Sequence, residues 1–407
     1  MKVFGKPAVM RLLQGLAAPL VRTVMTYRFD PDFRGEVATI EKVYRAYQER
    51  IDSDVARRYL WRAVCQYKCQ SHARRRIPSL LANVVAVVGL PFVLLAIRRS
   101  RKINSDAAPC KYLKIDFHMA YQVPKGIRGD TRESITSIRY LTFGDFCFAI
   151  GLFIKNRAFY PELLLKFLLW ITIARPQIDS HRTAYLIQYC EYSATSSLRK
   201  IFLNRQGIRI ANITHGEEFV SCRSAFSSFD QYFAWELTPK SIHDAMHIEY
   251  AERLSFNPCA DLPPAPRAPT PPTFGFLWPS LEGTDLAVLV AKLNSISRSC
   301  AVIVRPHPNP KYANQFDRYR TQLNAQVSDS NREDIHGFID RCGILGGNLS
   351  AALLQAAFRG REVIYLHDEY LASLREYHEY YRDVSVVTIE TLDRYVANRI
   401  SAKSSRP

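Results

Sequence analysis

The chain has no C-x-x-C pair and no internal repeat with a period of roughly 20–50 residues, which excludes Cys-ligated zinc ribbons and solenoid repeats. Glycine (17) and proline (22) follow no short period, so the collagen class goes as well. The 9 cysteines are odd in number and spread almost evenly, which suits neither a disulfide framework nor a metal cluster. They read as small buried hydrophobes in a reducing cytosol. Acidic residues are scarce at one end only. Residues 1–114 hold 22 Lys+Arg against 8 Asp+Glu, a net of +14, whereas residues 115–407 hold 33 against 30, a net of +3. Charge gathered at one end points to an anionic partner, either nucleic acid or a lipid surface. With 47% hydrophobic and 12% aromatic residues over 407 positions, the chain is too apolar for disorder and can fill two or three cores.

Inside the basic end runs Ile77–Ile97, 21 residues without a charge, bounded by Arg74, Arg75 and Arg76 before it and by Arg98, Arg99, Arg101 and Lys102 after it. That length could cross a bilayer, but Pro78, Asn83, Gly89 and Pro91 weaken a continuous span, and cations at both ends give it no orientation. A monotopic or re-entrant insertion with the arginines on acidic headgroups is expected, with residues 57–102 as the membrane-binding stretch; a buried core helix is the alternative. A nucleic-acid partner fits less well, because the cations flank an apolar run and do not interleave with exposed aromatics. Upstream, Glu36–Arg76 repeats apolar residues at helical spacing and predicts one or two amphipathic helices forming a solvated or lipid-facing platform. Downstream, Phe146–Ala174 is apolar but interrupted by Lys155, Arg157, Glu162 and Lys166, which predicts two core helices of a soluble domain.

From about Cys110 the pattern becomes short β-rich runs alternating with helices, the signature of α/β structure with mostly parallel sheets. Candidate strands are Tyr112–Phe117, Ala184–Tyr189, Ile208–Ile213 and Tyr232–Trp235, with helices at Ser196–Asn204 and Pro239–Ala251. Pro258–Pro272 then packs 7 prolines into 15 residues, a density that no helix or sheet interior tolerates, and predicts an extended connector. Beyond it, strands are expected at Thr273–Trp278, Cys300–Arg305, Gly343–Leu345 and Glu362–Leu366, with helices at Asp285–Ile296 and Ser350–Arg359. The expected organisation is a helical basic region (1–109), a wound Rossmann-like domain (110–257), the connector (258–272) and a second Rossmann-like domain (273–400), the two wound domains facing a cleft.

Three motifs fall at predicted strand ends. His215-Gly216-Glu217-Glu218 follows the strand ending at Ile213; the glycine permits a sharp turn, and the imidazole or either carboxylate could take a proton from an acceptor hydroxyl. Arg305-Pro306-His307-Pro308 follows a second strand, where flanking prolines stiffen the loop and Arg305 and His307 suit a phosphate or diphosphate leaving group. Gly346-Gly347-Asn348-Leu349-Ser350 runs from a strand into a helix, where the glycines allow close approach and the helix start with Ser350 offers donors to a phosphate; Asn348 serves that site or simply caps the helix. Lesser candidates are Glu369, which could hold a ribose, and His243 with His247, whose four-residue spacing suits a polar helix face better than a metal. Tyr377–Arg382 is expected to be an aromatic helix docking on the core.

In this order the motifs resemble the GT-B glycosyltransferases of bacterial surface-polysaccharide and capsule assembly, both the sialyl- and Kdo-transferases that use CMP-sugars and the CDP-glycerol glycerophosphotransferases. The resemblance covers roughly residues 180–370. It implies a GT-B-like fold and transfer of a sugar or glycerophosphate-like unit from a cytidine nucleotide to a lipid-linked or surface glycan. It further implies that His307 and Ser350 bind the donor phosphate alongside Arg305, Gly347 and Asn348, and that the base is His215, Glu217 or Glu218. No divalent metal or other cofactor is expected, and the enzyme would sit, peripheral or monotopic, on the cytoplasmic face of the inner membrane. Gly216 precedes Glu217-Glu218 here, the reverse of the sialyltransferase order. The alternative is a non-catalytic membrane scaffold on the same fold.

Overall fold

The computed structural model describes residues 33–404 except 73–75, 95–96, 98–108, 115–122, 134–139, 189–192, 215–217, 219, 270–271, 279–285, 308–314, 331, 349 and 367–383. The architecture is α/β, with two six-stranded sheets in which the pairings traced strand by strand are parallel. The chain divides into two compact units: Met1–His215, Phe219–Ala234 and Lys240–Ser255 form one, and Gly216–Glu218, Trp235–Pro239 and Phe256–Pro407 the other.

The first unit begins with α1 (Phe33–Ile51), α2 (Val55–His72) and α3 (Arg76–Val93). The amphipathic stretch thus yields two helices, parted where Asp54 Oδ1 accepts the Arg57 N–H at 3.1 Å and so caps α2. The expected solvated platform is corrected for α2, because Leu60, Trp61, Val64 and Cys65 are buried and its polar side chains reach into the sheet. Arg62 Nε donates to Ser228 Oγ at 2.7 Å and pairs with Glu249 at 3.4 Å, while its Nη2 reaches the His247 carbonyl. Burial disfavours the Arg62 charge, and Glu249 partly offsets this. Gln66 Nε2 donates to the Arg223 carbonyl at 2.7 Å and Tyr67 OH to Glu162 at 2.9 Å. Residues 33–94 therefore belong to the same body as the first sheet, and the boundary expected at 109/110 is not a boundary between compact units. In α3, Pro78 lies in the first turn, where the missing N–H is no loss, and Pro91 lies in the last, where it ends the helix.

The first sheet comprises β1 (Cys110–Lys114), β2 (Thr131–Glu133), β3 (Thr183–Gln188), β4 (Arg209–Ile213), β5 (Ser228–Trp235) and β6 (Glu249–Phe256), in the order β2-β1-β3-β4-β5-β6. Between them lie α4 (Lys125–Arg128), α5 (Phe143–Lys155), α6 (Pro161–Ser180), α7 (Ser196–Arg205) and α8 (Lys240–Ala245). Thr142 and Asp145 form a reciprocal cap on α5, and Pro161 opens α6. The helix expected over Pro239–Ala251 is corrected: α8 stops at Ala245 and the chain turns at His247, whose φ is +50°, into edge strand β6. The charges of Glu249, Glu252 and Arg253 suit an edge and masked the strand pattern. Cys65, Cys69 and Cys222 are buried as expected, and burial pushes the Cys65 thiol up to about 12; Cys147 stands exposed on α5, contrary to expectation.

The second unit comprises β7 (Phe274–Leu277), α9 (Leu286–Ile296), β8 (Val302–Arg305), β9 (Gln326–Val327), α10 (Ile335–Asp340), β10 (Ile344–Gly347), α11 (Ala351–Phe358), β11 (Glu362–Leu366), β12 (Ser385–Val387) and α12 (Leu392–Ser404). Its sheet order is β12-β11-β10-β7-β8-β9, so the strands run outward in both directions from the β7/β10 pair. That junction is the switch point at which doubly wound sheets open a crevice beyond their carboxyl ends. One face buries Phe274, Phe276, Val302, Val304 and Ile344 under α9 and α12, which contribute Leu289, Leu293, Val396 and Ile400.

The proline segment is not a free connector over its described part. Arg359 Nη1 donates to the Pro263 carbonyl at 3.2 Å and Arg361 Nη2 to the Pro266 carbonyl at 2.9 Å, while both guanidinium groups also engage Asp340. Prolines accept but cannot donate, so two arginines supply the donors that hold them.

Candidate functional site

Strands β8, β7 and β10 lie side by side and deliver three loops to one end of the second sheet. Leu277 pairs with Gly347, so Trp278 and Asn348 sit one residue past the last paired position of neighbouring strands. Alternation along the strands puts Trp278 on the same face as Phe274 and Phe276, and Asn348 on the same face as Ile344 and Gly346. Trp278 is 3% exposed, with its ring edge-on to Phe316 at 5.1 Å. Its indole Nε1 and the Asn348 Oδ1 are both buried, and neither has a hydrogen-bond partner among the described residues. An indole donor and an amide acceptor left unpaired each cost about 1–3 kcal/mol. A bound group could recover a hydrogen bond at either atom, accepting from the indole or donating to the amide oxygen.

Ser350 caps α11, its Oγ accepting the Ala352 N–H at 3.3 Å, at the end of β10. His307 stands two residues beyond β8, largely open, yet the surrounding protein desolvates the imidazole enough to hold its pKa below the ordinary value of 6.5. β8 and β10 flank β7, so the loops bearing His307 and Ser350 leave strands about 10 Å apart, a span that a nucleotide phosphate with its attached sugar can bridge.

Arg305 is 7% exposed and turns towards the segment after β9: Nη1 donates to Ser328 Oγ and Nη2 to the Glu333 carbonyl, both at 2.8 Å, and the guanidinium lies over Phe338. It braces β8 against the segment that leads into α10, and its burial weighs against its charge more than Glu333 restores. The diglycine serves packing. A Cβ on Gly346 would lie 2.7 Å from Phe274 Cζ, and one on Gly347 3.1 Å from Leu277 Cβ. Gly347 is therefore an inter-strand contact.

Of the acceptor-side candidates, Glu218 is described and is 6% exposed, whereas His215 and Glu217 lie outside the described residues, as does Glu369. Tyr377–Arg382 lies outside them too. His243 and His247 turn to different neighbours: His243 packs edge-on to Tyr232, while the His247 ring lies near-parallel to both Tyr44 and Phe226 and meets Glu41 at 3.1 Å. No group of three metal-ligating side chains occurs among the described residues. The chain does contain two Asp-x-Asp triplets, at Asp30–Asp32 and Asp52–Asp54, and the second is the turn that caps α2. Trp278 is the residue that sequence reasoning missed: as the last aromatic of a predicted strand it reads as core, and only its unpaired N–H distinguishes it.

No protein-family model matches the chain, and no curated protein matches it. Among solved structures it is similar to the wall teichoic acid polymerase TagF, at 11% identity and a TM-score of 0.40, over 81% of this chain and 93% of that one. A variant of TagF soaked with CDPG gives 11% identity and a TM-score of 0.39, over 82% and 93%. The Thermobaculum terrenum O-GlcNAc transferase gives 13% identity and a TM-score of 0.31, over 89% of this chain and 74% of that one. At such scores the likeness is shallow, and any chemistry has to come from the side chains.

Proposed function

We propose that the protein is a glycosyltransferase that moves a sugar, or a glycerophosphate-like unit, from a cytidine nucleotide to a glycan or lipid-linked acceptor. The observation that carries this is the unpaired Trp278 N–H and Asn348 oxygen at the switch point of the second sheet, between loops that bear His307 and Ser350. The order of the three motifs along the chain supports the same choice of chemistry.

In this mechanism Trp278 and Asn348 hold a hydroxyl of the donor, and His307 with the Ser350 hydroxyl and the start of α11 hold its phosphate. The acceptor oxygen attacks the anomeric carbon or the phosphorus, and the bond to the leaving phosphate oxygen breaks with its electron pair staying on that oxygen. The acceptor proton passes to a base among His215, Glu217 and Glu218. Arg305 contributes by fixing the end of β8, from which His307 projects. The basic stretch 57–102 places the enzyme, peripheral or monotopic, on the cytoplasmic face of an anionic membrane where lipid-linked acceptors reside.

A thermal-shift panel of CMP, CDP, UDP and GDP on the wild type and His307→Ala tests the donor site. A cytidine-specific shift that disappears in the variant is expected. No shift with any nucleotide overturns the proposal, and binding without donor hydrolysis or transfer makes the protein a scaffold.

A further inference from the structure

Ten large apolar side chains stand exposed among the described residues, and nine of them belong to α3 and the residue after it, to α5, to the α5–α6 turn and to α6. Val88 is 62% exposed, Phe143 66%, Ile154 64% and Phe159 79%. These elements adjoin. Asn83 of α3 accepts the Glu162 N–H of α6 at 3.4 Å, and a Cβ on Gly89 would sit 3.2 Å from Leu165. Beyond α3, Ile97 bridges to Leu141, two residues before α5, and the Tyr140 N–H donates to the Thr172 carbonyl of α6 at 3.1 Å. Leu94 and Phe143, both exposed, thus stand at the same corner.

The charge on these elements has one sign. Residues 76–94 contain no carboxylate, and the two in 143–170, Asp145 and Glu162, are buried, the first capping α5 and the second bound to Lys166 at 2.6 Å. Lys155 and Arg157, in contrast, are exposed beside Ile154 and Phe159. No helix among the described residues is long and apolar enough to cross a membrane. Apolar side chains rimmed by cations and free of exposed carboxylates match the boundary between headgroups and acyl chains of an anionic bilayer.

We infer that α3, α5 and the α5–α6 turn form one surface that lies in the plane of an anionic membrane, with Phe143, Ile154 and Phe159 immersed and Lys155 and Arg157 on headgroups. This rests on the membrane association proposed for residues 57–102 and widens it to a face that the sequence assigned to core.

Flotation with vesicles of phosphatidylcholine alone, and of phosphatidylcholine with phosphatidylglycerol at about 3:1, tests it on the full chain. The wild type should float with the anionic vesicles, and Ile154→Glu/Phe159→Glu and Val84→Glu/Val88→Glu should each weaken this by at least about tenfold. Both variants should keep the wild-type melting temperature, since the side chains are exposed, and the wild-type nucleotide response, since that site lies in the second unit. Full flotation of both glutamate variants overturns the inference, as does a wild type that floats with neither vesicle. A discrete oligomer by light scattering that the glutamate pairs dissolve also overturns it, making the face a contact between copies. Arg98→Ser/Arg99→Ser separates the two ideas: if it alone abolishes flotation, the basic stretch stands and the apolar face falls.

Discussion

Particular polar groups at the carboxyl ends of the two sheets differ in the partners they find within the chain. At the carboxyl ends of the first sheet, the Gln188 oxygen accepts from Arg199 at 2.7 Å, and Thr214 donates to the Phe233 carbonyl through both its N–H and its hydroxyl. Deeper in that unit, Arg62 is bound to Ser228, Glu249 and the Ser227 and His247 carbonyls. At the matching end of the second sheet, Trp278 and Asn348 each keep a buried polar atom without a partner. A satisfied polar group stabilises the fold, whereas an unsatisfied one costs stability until something binds to it. Gln188 and Thr214 thus serve the fold, whereas Trp278 and Asn348 keep hydrogen-bonding capacity for a ligand.

The contrast can be broken in the first unit. Arg62→Ala removes a buried cation and takes one contact each from Ser228, the Ser227 and His247 carbonyls and Glu249, so a loss of about 3 kcal/mol is expected in urea unfolding. A loss below about 1 kcal/mol would mean that α2 is not anchored by this network. In the second unit the sign reverses. Trp278→Phe deletes an unpaired donor, so the free protein should be unchanged or up to about 1 kcal/mol more stable, while the nucleotide-induced thermal shift shrinks. A fall larger than the cavity left beside Phe316 accounts for would show that the indole N–H already has a structural partner.

The smallest effect sharpens the role of His307. Because its pKa is held below 6.5, the imidazole is neutral at pH 7, and the folded protein binds that proton less readily than the unfolded chain. Its contribution to stability is therefore complete above the ordinary histidine range and is lost as pH falls through the depressed value. A bound phosphate favours the protonated form, so nucleotide affinity should rise by less than about tenfold between pH 8 and 6. Isothermal titration should show this slope in the wild type and a flatter one in His307→Gln. Equal slopes would remove His307 from the phosphate.

Sequence alone located central strands of both sheets, because β-branched and aromatic runs such as Ala184–Ile187 and Val302–Val304 are short, apolar and separated by helical spacing. It missed β9, of two residues, and edge strands β2, β6 and β12, whose pairing on one side asks little of their side chains. It placed His307 and Ser350 on loops after the two strands that flank β7, and did not show the packing of Arg305 and the diglycine for a common reason. Which face a strand residue points to, and what waits there, depends on partners distant in sequence: Ser328 and Glu333 for Arg305, Phe274 and Leu277 for the glycines. The apolar run 146–174 posed the same difficulty, since hydrophobicity shows that a helix must bury one side and not that it buries every side.

The clasp of Arg359 and Arg361 on the Pro263 and Pro266 carbonyls bears on how the molecule can be cut. A fragment started at Thr273, where the composition normalises, would discard the carbonyls that these arginines hold and leave two cations leaning on Asp340 alone. Starting near Asn257 retains them. Limited digestion should accordingly spare the proline run, for all its look of a spacer.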